Sequence, residues 1–198
     1  MLRSRRLPIT ALVAAALTAA AAAPAPAQHG QPARPGQQQQ RVLSPRDTAR
    51  VQLEGGHRVW IDYGRPSMRG RKIMGDLVPY GRVWRTGANA ATTFVTDTDL
   101  VIGTARVPRG TYTLYTVPTA RGWTLIVNKQ TGQWGTQYEQ ARDLVRIPMQ
   151  VTRTTRPVEQ FTIALERGER GAHTLALSWE NTRATVPFRA APAAAARR

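Results

Sequence analysis

The sequence predicts an all-β domain, a single antiparallel β-sandwich or jelly-roll-like fold of about nine strands. Apolar and polar residues alternate with a period of two in short segments rich in Thr, Val, Tyr and Trp, which is typical of half-buried strands. Turn-forming residues separate these segments at intervals of roughly 8 to 15 residues. No long stretch has helical periodicity, so the pattern favours a sandwich or barrel over a βαβ arrangement.

The expected strands follow one another along the middle of the chain. They are residues 50–53, 58–63, 92–96, 111–117, 123–127, 144–151, 161–166, 174–179 and 182–188. The expected turns are Gly55-Gly56, 97–99, 120–122, 168–171 and a tight hairpin at Glu180-Asn181. Residues 137–144 could form one or two helical turns, and at most one short helix is expected.

The first 27 residues have the pattern of a secretory signal peptide. Three arginines precede an apolar, Ala-rich run at 7–23, and Ala25-Pro26-Ala27 supplies a cleavage site. A retained membrane helix is the alternative, but the run is shorter than the roughly 20 residues that a bilayer requires. We therefore expect a periplasmic or secreted protein with no transmembrane segment after cleavage.

Both flanks of the domain have a disorder-prone composition. Residues 28–41 are rich in Gln and Pro, and residues 189–198 consist of Ala, Pro and Arg, which leaves 42–188 as the folded domain. The chain has 28 Lys and Arg against 12 Asp and Glu, a formal charge of +16. Eight of the basic residues and none of the acids lie outside 42–188, so the domain itself carries 20 against 12, or +8.

Few constellations for catalysis or cofactor binding are present. The absence of Cys excludes disulfides, thiolate metal sites and a cysteine nucleophile. His29, His57 and His173 are far apart, and the latter two are expected to be polar residues at strand ends. No nucleophile elbow or phosphate-binding loop occurs. The sequence therefore predicts no metal and no cofactor, and favours a non-catalytic protein.

Residues 64–89 form a long segment without strand periodicity that we expect to be an ordered, functional loop. Asp76 is its one acid, and its bases are Arg65, Arg69, Arg71, Lys72, Arg82 and Arg85. Guanidinium groups offer planar donor pairs to carboxylate, phosphate or sulfate. The alternative is that these side chains form a solvated face, which is favoured for Arg69, Arg71 and Lys72, or that Arg85 and Asn89 tie the loop to the sheet through backbone carbonyls. For Arg85 and Asn89 both interpretations remain open.

This segment resembles an exported bacterial family catalogued as a domain of unknown function. The resemblance is carried by KIMGDLVPYG at 72–81, VWRTGAN at 83–89, GTYTLY at 110–115, QWG at 133–135 and SWENT at 178–182. It covers residues 44–188 and implies a secreted or periplasmic, β-rich domain with no assigned activity. The family's signature positions are Trp84, Arg85, Gly87, Asn89, Trp134, Glu180 and Asn181.

Six of these signature residues form the candidate ligand-binding set. They are Trp84, Arg85, Asn89, Trp134, Glu180 and Asn181, a mixture of aromatic platforms and directional polar groups that is typical of carbohydrate or small polar-ligand pockets. Core or turn roles are the alternative, favoured for Trp134 and Asn181. A ligand role is favoured for Arg85 and Glu180.

Three functions compete at this point. The favoured one is a non-catalytic module that binds a polar or anionic cell-envelope ligand, such as a glycan, through the loop of Arg85 and Asn89. The alternative is an envelope hydrolase that uses Glu180 or Asp76 as general acid/base, with Arg85 stabilising negative charge. Nucleic-acid binding is disfavoured by the export signal, the scarcity of Lys and the lack of a basic stripe interleaved with aromatics. The sequence does not indicate an oligomeric state.

Overall fold

The computed structural model describes residues 44–192, which contain nine β-strands in one antiparallel sheet. The strands are β1 (Arg46–Gln52), β2 (Arg58–Gly64), β3 (Thr92–Thr96), β4 (Leu100–Ile102), β5 (Ala105–Val107), β6 (Gly110–Pro118), β7 (Trp123–Asn128), β8 (Asp143–Arg167) and β9 (His173–Ala190). Their order across the sheet is β1-β2-β3-β6-β7-β8-β9-β4-β5. The all-β fold of about nine strands is confirmed, and the sheet is not a closed barrel.

Alternating burial along the strands reproduces the sequence pattern. In β2, Val59, Ile61 and Tyr63 are buried while the residues between them are half-buried. A strand that places every second side chain on one face needs only that face to be apolar. The resulting interior contains Phe94, Leu114 and other buried side chains from every strand.

The long strand β8 pairs with two different strands along its length and thereby folds the sheet around the core. Its first part, up to Met149, pairs with β7, and the part from Gln150 to Arg167 pairs with β9. The opposite edge of this second part faces the segment that follows β2, where the amide of Phe161 donates to the carbonyl of Pro66 at 2.9 Å. The strands of the first and last thirds of the sheet are thereby brought into contact around one core.

Side chains bridge the gap where the sheet does not close. The amide of Ile163 donates to the Tyr63 hydroxyl at 2.9 Å, and that hydroxyl lies 3.4 Å from the Ile163 carbonyl. The Arg65 guanidinium donates to the carbonyl of Phe161 at 3.2 Å and to the Thr162 hydroxyl at 3.0 Å. Polar groups at the exposed edge of β8 are thus satisfied without a further strand.

The strand boundaries differ from expectation in four places, the first being β1, which begins at Arg46 rather than at residue 50. The short strands β4 and β5 were not predicted, because three residues give too little periodicity to recognise. The expected segments 144–151 and 161–166 are parts of one strand, β8, and the last two expected segments are both parts of β9. The hairpin predicted at Glu180-Asn181 is wrong, since both residues lie inside β9 at an irregular register with β8.

The folded domain ends slightly later than expected, and the expected helical turn is present. Strand β9 continues to Ala190, so the folded domain extends two residues past 188 into the expected tail. The predicted signal peptide at residues 1–27, the predicted leader at 28–41, residues 42 and 43 of the predicted domain, and residues 193–198 lie outside the described residues. The predicted helical turn is confirmed as a 3-10 turn at Gln140–Arg142, and a second one occurs at Glu54–Gly56. No helix in residues 44–192 is long and apolar enough to span a bilayer.

His173 lies at the start of β9 and is only 5% exposed. Its ring packs against Phe188 with centroids 5.4 Å apart, and its Nδ1 has no hydrogen-bond partner among the described residues. Burial, and secondarily the positive charge of Arg167, lower the pKa of His173, which outweighs the opposing effect of Glu54. His173 is therefore a buried neutral side chain rather than a solvated strand end.

Replacing Tyr63 by Phe tests the bridge across the open sheet. The change leaves both backbone groups of Ile163 without the hydroxyl, so we expect the free energy of unfolding to fall by about 1–2 kcal/mol in urea denaturation. Tyr112→Phe is the matched control, because the Tyr112 hydroxyl donates to the carbonyl of Pro108 only four residues away. Equal stability of Tyr63→Phe and the wild type would contradict a bridging role.

A second prediction concerns pH. The folded-state pKa of His173 lies below its unfolded value, so below about pH 6.5 the unfolded chain takes up the proton first and stability falls as the pH decreases. Between pH 7.5 and 5.5 this protonation lowers the free energy of unfolding by at most about 1.4 kcal/mol. The loss, measured by urea denaturation at both pH values, should shrink in His173→Phe and persist in His57→Gln, which alters an exposed histidine. An unchanged loss in His173→Phe would refute it.

Candidate functional site

The loop between β2 and β3 is fixed to the sheet at several points. Ser67 forms an isolated bridge with Gln160 of β8, and Trp84 forms another with Thr116 of β6. The second bridge has two short hydrogen bonds, 2.7 Å from the Trp84 amide to the Thr116 carbonyl and 2.9 Å in return. The loop is therefore ordered, as its apolar residues predicted.

The aromatic side chain of Trp84 attaches this loop to the core. Its indole stacks on Trp179 of β9 with centroids 5.8 Å apart and meets Phe161 edge-on at 5.0 Å. A third contact, 6.1 Å and nearly perpendicular, reaches Trp123 of β7. Trp84 is partly buried by this cluster and forms part of the cleft described below.

Threonine hydroxyls hold the segment after Trp84. Thr86 is fully buried with a left-handed backbone (φ 52°), and its hydroxyl donates to that of Thr116 at 3.1 Å. The Thr92 hydroxyl donates to the Thr86 carbonyl at 2.8 Å. Asn89 also has a left-handed backbone (φ 64°), a conformation that Asn tolerates better than most residues. The loop therefore presents Arg85 and Asn89 in a fixed conformation.

Two glycines permit the close approach of backbones around this segment. A Cβ at Gly64 would collide with the carbonyl of Ala88. A Cβ at Gly135 would lie 2.7 Å from the carbonyl oxygen of Asn89 and 2.8 Å from Cδ of Arg85. The Gly135 amide donates to that same Asn89 carbonyl at 2.9 Å. Glycine at position 135 thus allows the QWG segment to lie directly against Arg85 and Asn89.

A cleft of about 700 Å³ opens between these segments. Trp84, Arg85 and Asn89 line it, so the structure brings half of the candidate set together. The other lining residues are Ser44, Pro66, Ser67, Arg69, Arg71, Leu77, Val78, Val83, Gly87, Ala88, Tyr115, Gly135, Thr136, Tyr138 and Trp179. Within residues 44–192, no Asp, Glu or His lines this cleft, whereas three arginines do.

Two of the three arginines of the cleft, Arg71 and Arg85, differ in their contacts. Arg71 donates to the carbonyls of Met68 at 2.9 Å and Ser67 at 2.7 Å, so it ties its own loop rather than forming the solvated face that the sequence favoured for it. Nε of Arg85 donates to the carbonyl of Gly87 at 3.2 Å. The two terminal nitrogens of Arg85 have no acceptor among the described residues. Arg85 is therefore positioned by its own loop while keeping donors available to a ligand.

A hydrogen-bonded network lies behind the Tyr138 side of the cleft. The Tyr138 hydroxyl donates to the Asp143 carboxylate at 2.7 Å and accepts from Arg146 at 2.6 Å. Burial, followed by the hydrogen bond with Asp143, raises the pKa of Tyr138 to about 12. Tyr115 packs edge-on against Tyr138 at 4.9 Å. Tyr138 is thus a neutral, oriented wall of the cleft at physiological pH.

The carboxylates considered for catalysis lie outside the cleft lining. The Glu180 carboxylate accepts from the amides of Met74 at 3.0 Å and Ile73 at 3.4 Å. Asp76 is exposed on the same loop. With neither acid in the cleft beside Arg85, the geometry does not favour the hydrolase alternative. Glu180 holds the loop to β9 instead, and Asn181 is a half-buried residue of β9 that also does not line the cleft.

Trp134 does not line the cleft itself but lies next to a residue that does. It bridges to Ala90 and begins a turn closed by the Gln137 amide, which donates to its carbonyl at 2.9 Å. Of the roles considered for it, the core role is wrong, because the side chain is 52% exposed. It lies directly before the lining residue Gly135, at the edge of the cleft.

Sequence reasoning missed the tyrosines of the site. Tyr115 was part of a recognised motif but was assigned only to a strand, and Tyr138 follows the QWG motif by three residues without any distinctive pattern. Gln133 ties the QWG motif to Tyr115, since its side-chain amide donates to the Tyr115 hydroxyl at 3.0 Å. The proximity of QWG and Tyr138 in the sequence is the one signal that could have added Tyr138 to the set.

Residues 44–188 match the family described as Protein of unknown function (DUF2911). The chain belongs to this family. No curated protein and no solved structure matches it. The DUF2911 match extends from the residue that begins the described structure almost to the end of β9, and therefore includes every residue that lines the cleft.

Gly135→Ala tests the close packing at the centre of this DUF2911 site. The new methyl group would press on the Asn89 carbonyl and the Arg85 side chain, so we expect a loss of about 1–3 kcal/mol in the free energy of unfolding. Gly122→Ala is the matched control, because its nearest heavy atom would be the Met149 carbonyl oxygen at 3.8 Å. Urea denaturation of both variants measures the difference, and equal effects would contradict the assigned packing.

Proposed function

We propose that this protein is an exported, non-catalytic binding module that holds an anionic cell-envelope ligand, such as an acidic glycan, in the cleft of Arg85 and Asn89. The observation that carries the proposal is the charge of the lining, which includes three arginines and, within the described residues, no acid. An arginine that keeps two donor nitrogens unpaired in a cleft is suited to bidentate recognition of a carboxylate, phosphate or sulfate.

The remaining lining residues support a saccharide-like ligand. The indole of Trp84 and the ring of Tyr138 supply flat apolar surface, while Asn89, Ser67 and Thr136 supply neutral polar groups. Small-ligand pockets commonly combine aromatic walls with a few directional polar groups. The size of the cleft is within the usual range for a ligand of a few rings.

Arg85→Gln tests the proposal directly. Titration calorimetry should detect binding of uronic-acid or phosphorylated oligosaccharides but not of neutral oligosaccharides of the same length. Loss of a charged hydrogen bond costs about 1.5–3 kcal/mol, so Arg85→Gln should weaken binding at least about tenfold. Higher salt should also weaken binding in the wild type.

Arg82→Gln is the matched control for charge. Arg82 lies in the same loop three residues earlier, is exposed, and does not line the cleft. It should retain wild-type affinity for the acidic oligosaccharides. Indifference of the protein to ligand charge, or undiminished binding by Arg85→Gln, would refute the proposal.

A further inference from the structure

Three of the four large apolar side chains that are exposed in the described residues belong to the loop between β2 and β3, and the fourth, Trp134, is bridged to Ala90 of that loop. The four are Leu77 (44% exposed), Tyr80 (45%), Val83 (37%) and Trp134 (52%), and we refer to them as the apolar rim. Single exposed apolar residues are common on protein surfaces, whereas a group of them around one feature marks an interaction site.

Three of the four rim residues lie in the lining of the cleft or next to it. Leu77 and Val83 line the cleft, and Trp134 directly precedes the lining residue Gly135. Tyr80 covers Gly75 of the same loop, where a Cβ would lie 2.9 Å from the tyrosine ring. The loop is held at this end by the Gly81 amide, which donates to the carbonyl of Pro118 at 2.8 Å.

Basic side chains accompany the rim. Lys72 and Arg82 are exposed on the same loop, and Arg71 lines the cleft. Asp76 is the one acid between residues 64 and 89. Apolar side chains that are accompanied by an excess of positive charge are complementary to a surface that offers both negative charge and hydrocarbon.

We propose that the apolar rim docks the protein onto a bilayer that contains anionic phospholipid. Tyr and Trp partition into the headgroup region, and branched aliphatic side chains gain by contact with acyl chains. Lys and Arg next to them are attracted by anionic headgroups. Leu77 and Val83 favour this partner over a polysaccharide, because an aliphatic side chain gains little from a polar, hydrated chain.

This docking can be tested separately from ligand binding in the cleft, although Leu77 and Val83 belong to both surfaces. Tyr80 and Arg82 belong to the rim surface and its basic surroundings but do not line the cleft. Substituting them therefore tests the membrane proposal while leaving the contacts around Arg85 in place. The bilayer would be met by the same end of the domain that carries the cleft mouth.

Vesicle co-sedimentation of the full chain tests the proposal. The protein should pellet with vesicles of phosphatidylglycerol and phosphatidylcholine, and at least about tenfold less with phosphatidylcholine alone. Trp134 is the most exposed of the five tryptophans, so its emission should shift to the blue on binding and be quenched by brominated acyl chains. Trp134→Phe should remove most of that spectral change.

Variants then locate the contact. Tyr80→Ser and Arg82→Gln should each lower the apparent partition coefficient about fivefold, and the double variant about twentyfold or more. Arg109→Gln is the matched control for charge, because Arg109 precedes β6 at the end opposite Pro118. Neither Tyr80→Ser nor Arg82→Gln should change affinity for acidic oligosaccharides, whereas Arg85→Gln should.

Three outcomes would overturn the proposal. The wild type could fail to pellet with anionic vesicles, or the Tyr80 and Arg82 double variant could pellet as the wild type does. The protein could also pellet with insoluble envelope polysaccharide and not with vesicles, which would make the rim a glycan platform. Failure of Arg85→Gln to alter oligosaccharide binding would refute the cleft function alone and leave the membrane result interpretable.

Discussion

The contact of Trp84 with the aromatic core is the interaction on which the site depends. The loop from residue 65 to 91 has no strand of its own, so its backbone cannot be held by a continuous hydrogen-bond ladder. The indole of Trp84 instead packs against Trp179 of β9 and Phe161 of β8 and so holds the loop to the sheet. Aromatic pairs of this kind contribute about 0.5–1.5 kcal/mol each beyond area burial. Since Arg85 follows directly, the same contact that anchors the loop also fixes the start of the segment that contributes Arg85 and Asn89 to the cleft.

Glu180 provides the second anchor and explains an irregularity in the sheet. Its backbone is left-handed (φ 54°), and the register between β8 and β9 shifts on either side of its pairing with Val158. An irregularity of this kind redirects a side chain out of the alternating pattern of the strand. The redirected carboxylate accepts the amides of Ile73 and Met74, and hydrogen bonds to an ionised acceptor are among the stronger ones. The WENT and KIMG motifs, about a hundred residues apart, are therefore two halves of one contact.

The sequence was most informative where structure is determined locally. Period-two alternation located β2 and β6 to within about one residue, because one face of each strand must be apolar, and the further strands expected at 92–96 and 123–127 match β3 and β7 equally closely. It failed at Glu180-Asn181, where a polar pair that resembles a turn lies inside a bulged strand. Similarly, the WRTGAN loop was recognisable as a candidate site, but its partners were not. Tyr138 and Gly135 join Arg85 only through the packing of separate segments, and the absence of acids from the cleft is a property of the folded surface that no single segment contains.

The positive charge of the cleft follows from how the acids are used elsewhere. All twelve acidic residues lie in the described part of the chain, and seven of them take part in ion pairs with Arg or His. Glu159 and Glu180 accept backbone amides of the long loop. Nine of the twelve carboxylates are thus engaged in ion pairs or in holding the long loop, and none of the twelve lines the cleft. A domain with an excess of eight basic residues has to leave some cations without a carboxylate, and at Arg85 the fold leaves one of them in a concave surface, where an anionic ligand can compensate the charge.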